Sequence, residues 1–185
     1  MRLFIAIRPD RPVKKALLGV QDAWRRQGVR GNYTPPENLH LTLAFIGEYS
    51  DPDAVLAAME ELRFSPIPLR LDRLGAFDAL WWAGFAEGEE LDTLVRQLRR
   101  ALAEAAIPFD RKRFLPHITL LRKPVCPQGA ALRAVQVPPA QMRAERLSLM
   151  LSTRGTNGMI YTELGAVAAD AAANAPRHSE RTETP

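Results

Sequence analysis

The chain holds three histidines, and two of them open the same tetrapeptide pattern, His40-Leu41-Thr42-Leu43 and His117-Ile118-Thr119-Leu120. Thr at +2 and Leu at +3 after two of three histidines would arise by chance on the order of once in ten thousand at ordinary composition. The pair therefore reads as an internal repeat at the level of a site. In a strand, residues i and i+2 share one face and i+1 and i+3 the other. Each copy then presents an imidazole and a hydroxyl, roughly 6–7 Å apart, on a polar face. Leu39, Leu41 and Leu43, or Ile118 and Leu120, anchor the opposite face in a core.

An imidazole titrates near pH 6.5 and serves as acid or base near neutrality. Two of them on adjacent strands, one neutral and one charged, could open a cyclic phosphodiester. One activates water, the other protonates the leaving oxygen, and the threonine hydroxyls donate to the non-bridging oxygens. No metal or other cofactor is required, and two histidines with no partnered cysteine or third histidine leave too few ligands for zinc. A lone strand histidine is more often structural, and Thr is a good strand residue on its own account; the duplication favours the chemical reading. His178 lies in a polar stretch without a motif and reads as solvated.

These residues need strands to carry them and a core to hold the strands. Residues 2–8 read as a first strand. Asp10 can cap a helix opening at Pro12, with Val13, Leu17, Val20 and Trp24 at helical spacing up to Gly28. Residues 31–38, with Pro35-Pro36, read as a loop, and His40–Ile46 as a strand closed by Gly47. Ser50 or Asp51 can cap a second helix to about Arg63. Residues 67–77 and 80–86 read as strands around a tight turn at Asp78-Ala79, and Glu89–Ala106 as an amphipathic helix. His117–Arg122 is a strand, 124–140 irregular, and 143–153 and 158–165 a hairpin pair. Strands and helices mix without strict βαβ alternation, which argues for an α+β fold with antiparallel sheets. No Gly-rich phosphate loop is present, which disfavours a nucleoside-triphosphate fold.

At 185 residues, the chain suits one domain, expected over 1–165. Residues 166–185 turn Ala-rich and then polar, with no large apolar side chain after Val167, and are expected to form a disordered tail. No apolar run is long enough to cross a bilayer. The opening residues read as a strand rather than a signal peptide, so a cytoplasmic location is expected. Cys126, the one cysteine, sits in a Pro-flanked stretch with no nearby base and reads as an incidental thiol. The net charge of +4 is carried almost wholly by arginine, whose planar fork suits phosphate oxygens, though so small an excess is a weak indicator.

At its two motifs the sequence resembles the two-histidine phosphoesterase superfamily, marked by paired H-x-T-x segments. It is most similar there to the RNA 2′,3′-cyclic phosphodiesterases, also called 2′-5′ RNA ligases. The likeness is carried by Arg2–Ile7, by Asn38–Gly47, by Phe114–Arg122, and by Leu149, Ser152 and the Gly158–Leu164 segment containing Tyr161. It runs from residue 1 to about 165.

The resemblance implies two pseudo-symmetric lobes, each an antiparallel sheet with helices packed outside, facing each other across a cleft. It implies hydrolysis of a terminal RNA 2′,3′-cyclic phosphate, or of a cyclic nucleotide, to a 2′-phosphomonoester. It gives His40 as proton donor, His117 as proton acceptor, and Thr42 and Thr119 as phosphate ligands. The near-identity of the motifs leaves the acid and base unassigned by the sequence itself.

Arg122 matches an arginine common after the second motif. Strict alternation from His117 puts it on the wrong face, so a bulge or a strand end would have to redirect it. Phe4, Tyr33, Trp81 and Trp82 are candidates for stacking on a base. A monomer is expected. The alternatives are another small cyclic phosphate such as ADP-ribose 1″,2″-cyclic phosphate, the reverse 2′-5′ ligation, and a module that binds RNA ends without turnover.

Overall fold

The computed structural model describes residues 1–127, 132, 135–156 and 158–170. Its elements are β1 (Arg2–Ile7), α1 (Arg11–Arg26), β2 (Arg30–Tyr33), β3 (Leu41–Glu48), α2 (Pro52–Glu60), β4 (Ile67–Phe77), β5 (Leu80–Phe85), α3 (Glu89–Glu104), β6 (His117–Val125), β7 (Gln141–Ala144), β8 (Arg146–Gly155) and β9 (Gly158–Ala168). A short 3-10 turn, Pro36–Asn38, precedes β3.

Among the described residues eight strands follow one antiparallel path, β7-β4-β5-β6-β3-β1-β8-β9, and β2 pairs with β6 beside it. The path has two halves, β3-β1-β8-β9 and β6-β5-β4-β7. They meet at a single register pair, Leu41 opposite Ile118. Beyond that pair β6 leaves β3, and β2 takes over its free edge at Tyr33–Leu121 and Asn32–Arg122. The expected two lobes are thus two halves of one curled sheet, joined where the motif strands touch.

The helices cover one side. Asp10 caps α1 through Val13 N–H at 2.9 Å, and Asp51, rather than Ser50, caps α2 through Ala54 N–H at 3.0 Å. The apolar stripe of α1 (Val13, Leu17, Val20, Trp24) and that of α3 (Leu91, Leu94, Val95, Leu98, Leu102) join one core with Leu39, Leu41, Leu43, Ile118 and Leu120. That core reaches strands of both halves. The opposite, uncovered face carries the histidines.

Three element expectations change. The loop expected over 31–38 begins instead as a strand, β2 at Arg30–Tyr33, because the departing edge of β6 must be paired. Gly31 sits there at φ 144°, and a Cβ would meet the carbonyl oxygens of Arg122 and Lys123 at 2.8 Å. The segment before β8 holds a further strand, β7, paired to β4 at Ile67–Ala144 through Arg70–Gln141. The last strand continues to Ala168, three residues past its expected end at 165, paired as far as Arg146–Ala168. Residues 171–185, and with them His178, lie outside the described residues.

Candidate active site

Antiparallel pairing of Leu41 with Ile118 carries His40 toward Thr119 and Thr42 toward His117, so each imidazole faces the other motif's hydroxyl. Diagonal neighbours in such a pair stand about 7–8 Å apart, which leaves room for one phosphate between the two rings.

Both rings are held in the same way. Nδ1 of His40 bonds the Asn38 carbonyl at 2.7 Å, and Nδ1 of His117 bonds the Leu115 carbonyl at 2.7 Å. A carbonyl only accepts, so Nδ1 carries the proton in both rings, and Nε2 is the nitrogen left to take or give one. Asn38 is buried and does two jobs: its side-chain amide also donates to the Met159 carbonyl at 2.7 Å, tying the entry of β3 to β9.

Aromatic rings wall each histidine. Phe4 lies 4.8 Å and Tyr161 5.1 Å from His40, centroid to centroid. Phe77 and Trp82 lie 5.4 Å and 5.7 Å from His117. Trp82 needs the bare backbone of Gly75, where a Cβ would fall 2.1 Å from the indole. This enclosure lowers the pKa of both imidazoles from the usual 6.5. The bonds to Asn38 and Leu115 partly oppose the burial, and the Arg122 charge adds to it at both rings. The His117 charge lowers His40 further.

Arg122 reaches the site by a bulge. Trp81 pairs with Leu121 and Trp82 with Thr119, so Leu120 is an extra residue in β6. Leu120 and Leu121 are both buried, and alternation resumes with Arg122 on the histidine face. The bulge is supported from beneath. The Gln21 side-chain amide, fully buried on α1, donates to the carbonyls of Leu120 and Thr34 at 2.9 Å each. β3 repeats the device: Leu43 is extra between Thr42–Ala6 and Ala44–Ile5, which brings Phe45 to the same face. The pseudo-symmetry is thus H-x-T, bulge, then a side chain at +5, Arg122 in one half and Phe45 in the other.

Two cavities meet at His40 and Arg122. One, of about 290 Å³, is bounded by Arg2, Thr42, Phe45, Ser152 and Tyr161. The other, of about 450 Å³, is bounded by Asn32, Tyr33, Thr34, Asn38, Thr119 and Met159. Among the described residues no three His, Cys, Asp or Glu side chains gather as a metal ligand set would.

Of the stacking candidates, Phe4 and Trp82 lie against the histidines and Tyr33 rims the larger cavity, with the Arg25 guanidinium 4.1 Å over its ring. Trp81 is corrected: alternation turns it to the helix-covered side, edge-on to Trp24 at 5.0 Å. Phe77 and Arg2 were not singled out. Phe77 is 43% exposed although it sits beside His117. Cys126 is exposed.

Two motif strands crossing at one pair, with all four polar side chains on the open face, define a two-histidine phosphoesterase. The chain belongs to the 2′-5′ RNA ligase superfamily, whose family profile matches residues 9–156. It is 33% identical over 184 residues to an RNA 2′,3′-cyclic phosphodiesterase of Thermus thermophilus, covering 89% of this chain and 88% of that one. It is 28% identical over 175 residues to one of Thermotoga maritima, covering 89% and 93%. Its fold matches the crystal structure of E. coli LigT complexed with 3′-AMP, with a TM-score of 0.74, 26% identity, and 91% and 96% of the two chains covered.

Proposed function

We propose that this chain hydrolyses a terminal RNA 2′,3′-cyclic phosphate to a 2′-phosphomonoester. His117 Nε2 takes a proton from water as its oxygen attacks phosphorus. The P–O3′ bond breaks, and the 3′ oxygen takes a proton from the Nε2–H of charged His40. Thr42, Thr119 and Arg122 hold the non-bridging oxygens and oppose the charge that builds on them. One observation carries this reading: the Leu41–Ile118 pairing, which sets two Nδ1-anchored imidazoles diagonally about a phosphate-sized gap. The family and the relatives named as RNA 2′,3′-cyclic phosphodiesterases support the substrate class. The assignment of His40 as acid and His117 as base rests on the family resemblance.

The catalytic unit runs from β1 to the end of β9, and one copy of the chain carries both motifs; a monomer goes with this reading. A cytoplasmic setting among RNA-processing reactions goes with this reading. Among the described residues no helix is long and apolar enough to cross a membrane.

The test is turnover of a ribonucleoside 2′,3′-cyclic phosphate in EDTA. His40→Ala and His117→Ala are each expected to lose at least about 10²-fold in kcat. Full activity in either variant would refute the pairing.

A further inference from the structure

The aromatic walls of the two histidines are delivered by different means. His117 lies on β6, and its walls come from strands beside it: Trp82 from β5, which pairs with β6, and Phe77 from β4, which pairs with β5. At His40, Phe4 comes from β1, which pairs with β3, but Tyr161 lies on β9, three strands from β3 along the path. Three strand spacings amount to roughly 14 Å on a flat sheet. The Tyr161 ring nevertheless lies 5.1 Å from that of His40, so strand pairing alone does not bring it there. Nor does burial hold the end of the hairpin, where Met159 is 39% and Ile160 55% exposed. Among the described residues one hydrogen bond joins β9 to the segment leading into β3, from the buried Asn38 side-chain amide to the Met159 carbonyl at 2.7 Å. Met159 stands just before Ile160 and Tyr161 on the strand. The position equivalent to Asn38 in the second motif is Leu115, which has no amide to offer. Leu115 still supplies its backbone carbonyl to the His117 ring. Anchoring Nδ1 therefore does not need the amide, and the task of the Asn38 amide lies at β9.

We propose that Asn38 is a positioning residue for His40: its amide latches the β8–β9 hairpin so that Tyr161 closes over the His40 ring, a device without counterpart at His117. Its effect on turnover rests on the functional reading above; the seating of the ring does not. The latch makes two nearly identical motifs unequal. Met159 and Tyr161 bound both cavities, so the hairpin that Asn38 seats is also a wall of the cleft. The charged and titratable groups that face His40 are Arg122 and His117 of β6 and the Tyr161 phenol of β9; Phe4 and Asn38 bring none. Burial is the main cause of the lowered His40 pKa, so release of the Tyr161 wall lets that pKa rise. His117 keeps Trp82 and Phe77 and stays where it was.

The experiment follows both imidazoles by NMR titration and measures kcat for adenosine 2′,3′-cyclic phosphate in the wild type, Asn38→Leu, Tyr161→Leu and the double variant. Asn38→Leu is expected to raise the His40 midpoint toward 6.5 and to leave that of His117 in place. It is expected to lower kcat by about tenfold, the scale of one buried hydrogen bond. Because Asn38 acts through Tyr161, the two substitutions are expected not to add, and the double variant to resemble Tyr161→Leu alone. Asn38→Gln, which keeps a donor, is expected to recover part of the lost kcat. Asn38→Ala gives the same readings should the leucine variant fail to fold. A His40 midpoint that stays in place, midpoints of both rings that move together, or effects on kcat that add would each overturn the latch. Absence of turnover in the wild type would instead overturn the proposed function, and the titration would still decide the latch.

Discussion

At the residue scale the site is built by holding two ordinary imidazoles in one unusual relation. The carbonyls of Asn38 and Leu115 fix each ring by Nδ1, and aromatic rings wall it. Burial lowers both pKa values below 6.5, and the Arg122 charge lowers them further. The acid must carry its proton, so kcat/KM falls as pH rises through the range above the lowered values. The base must be free, so it falls again on the acid side. The bell is therefore expected to peak below pH 6.5, with its limbs belonging to the coupled pair. Arg122→Gln removes a charge that depresses both groups. A pH–rate series on this variant is expected to show the maximum displaced to higher pH, with kcat lower by about 10²-fold. A bell of unchanged position would mean that Arg122 does not sense the imidazoles. The same shifts affect folding. Below about pH 6.5 the unfolded chain binds protons that the folded imidazoles resist, so stability declines as pH falls toward the folded values. Urea midpoints at pH 7.5 and 5.5 are expected to converge when His40 is replaced by Gln.

At the element scale the motif strands act through their bulges. Without Leu120 as an extra residue, alternation from His117 would point Arg122 into the core side. Gln21 holds that bulge from α1, and Gln21→Leu would strand the Leu120 side of the kink without its buried donor. A loss of about 1–3 kcal/mol in denaturant stability is expected, together with a fall in kcat, since Arg122 follows the bulge. Unaltered kinetics in a destabilised Gln21→Leu protein would separate the bulge from catalysis.

The sequence made much of this scale legible. Period-2 alternation around His40 and His117 and the stripes of α1 and α3 named their own elements. The bulges left only faint marks, the apolar doublets Leu43-Ala44 and Leu120-Leu121, which break alternation. β2 left less, because Arg-Gly-Asn-Tyr has no buried face and is a strand only because β6 offers it an edge. Arg2 and Phe77 were hidden for a related reason: what matters about them is which neighbour they lie over, and that depends on register.

At the scale of the whole molecule, two half-sheets joined at one residue pair could have been two folding units. The core argues otherwise: one buried cluster contains side chains of all three helices and of strands from both halves. Thermal unfolding is expected to be a single transition, with calorimetric and van't Hoff enthalpies equal. Two resolved transitions would show that the halves are held together only at the site. The narrow join is also what makes the cleft, because the sheet edges splay on either side of Leu41–Ile118 and leave a cavity on each side of His40 and Arg122.

The most direct test of the two-histidine account is the identity of the product when a ribonucleoside 2′,3′-cyclic phosphate is incubated with the protein in EDTA and resolved by chromatography. Water attack opposite the 3′ oxygen predicts the 2′-phosphate alone. A 3′-phosphate, or a mixture of the two, would contradict the placement of a single acid and a single base on either side of phosphorus.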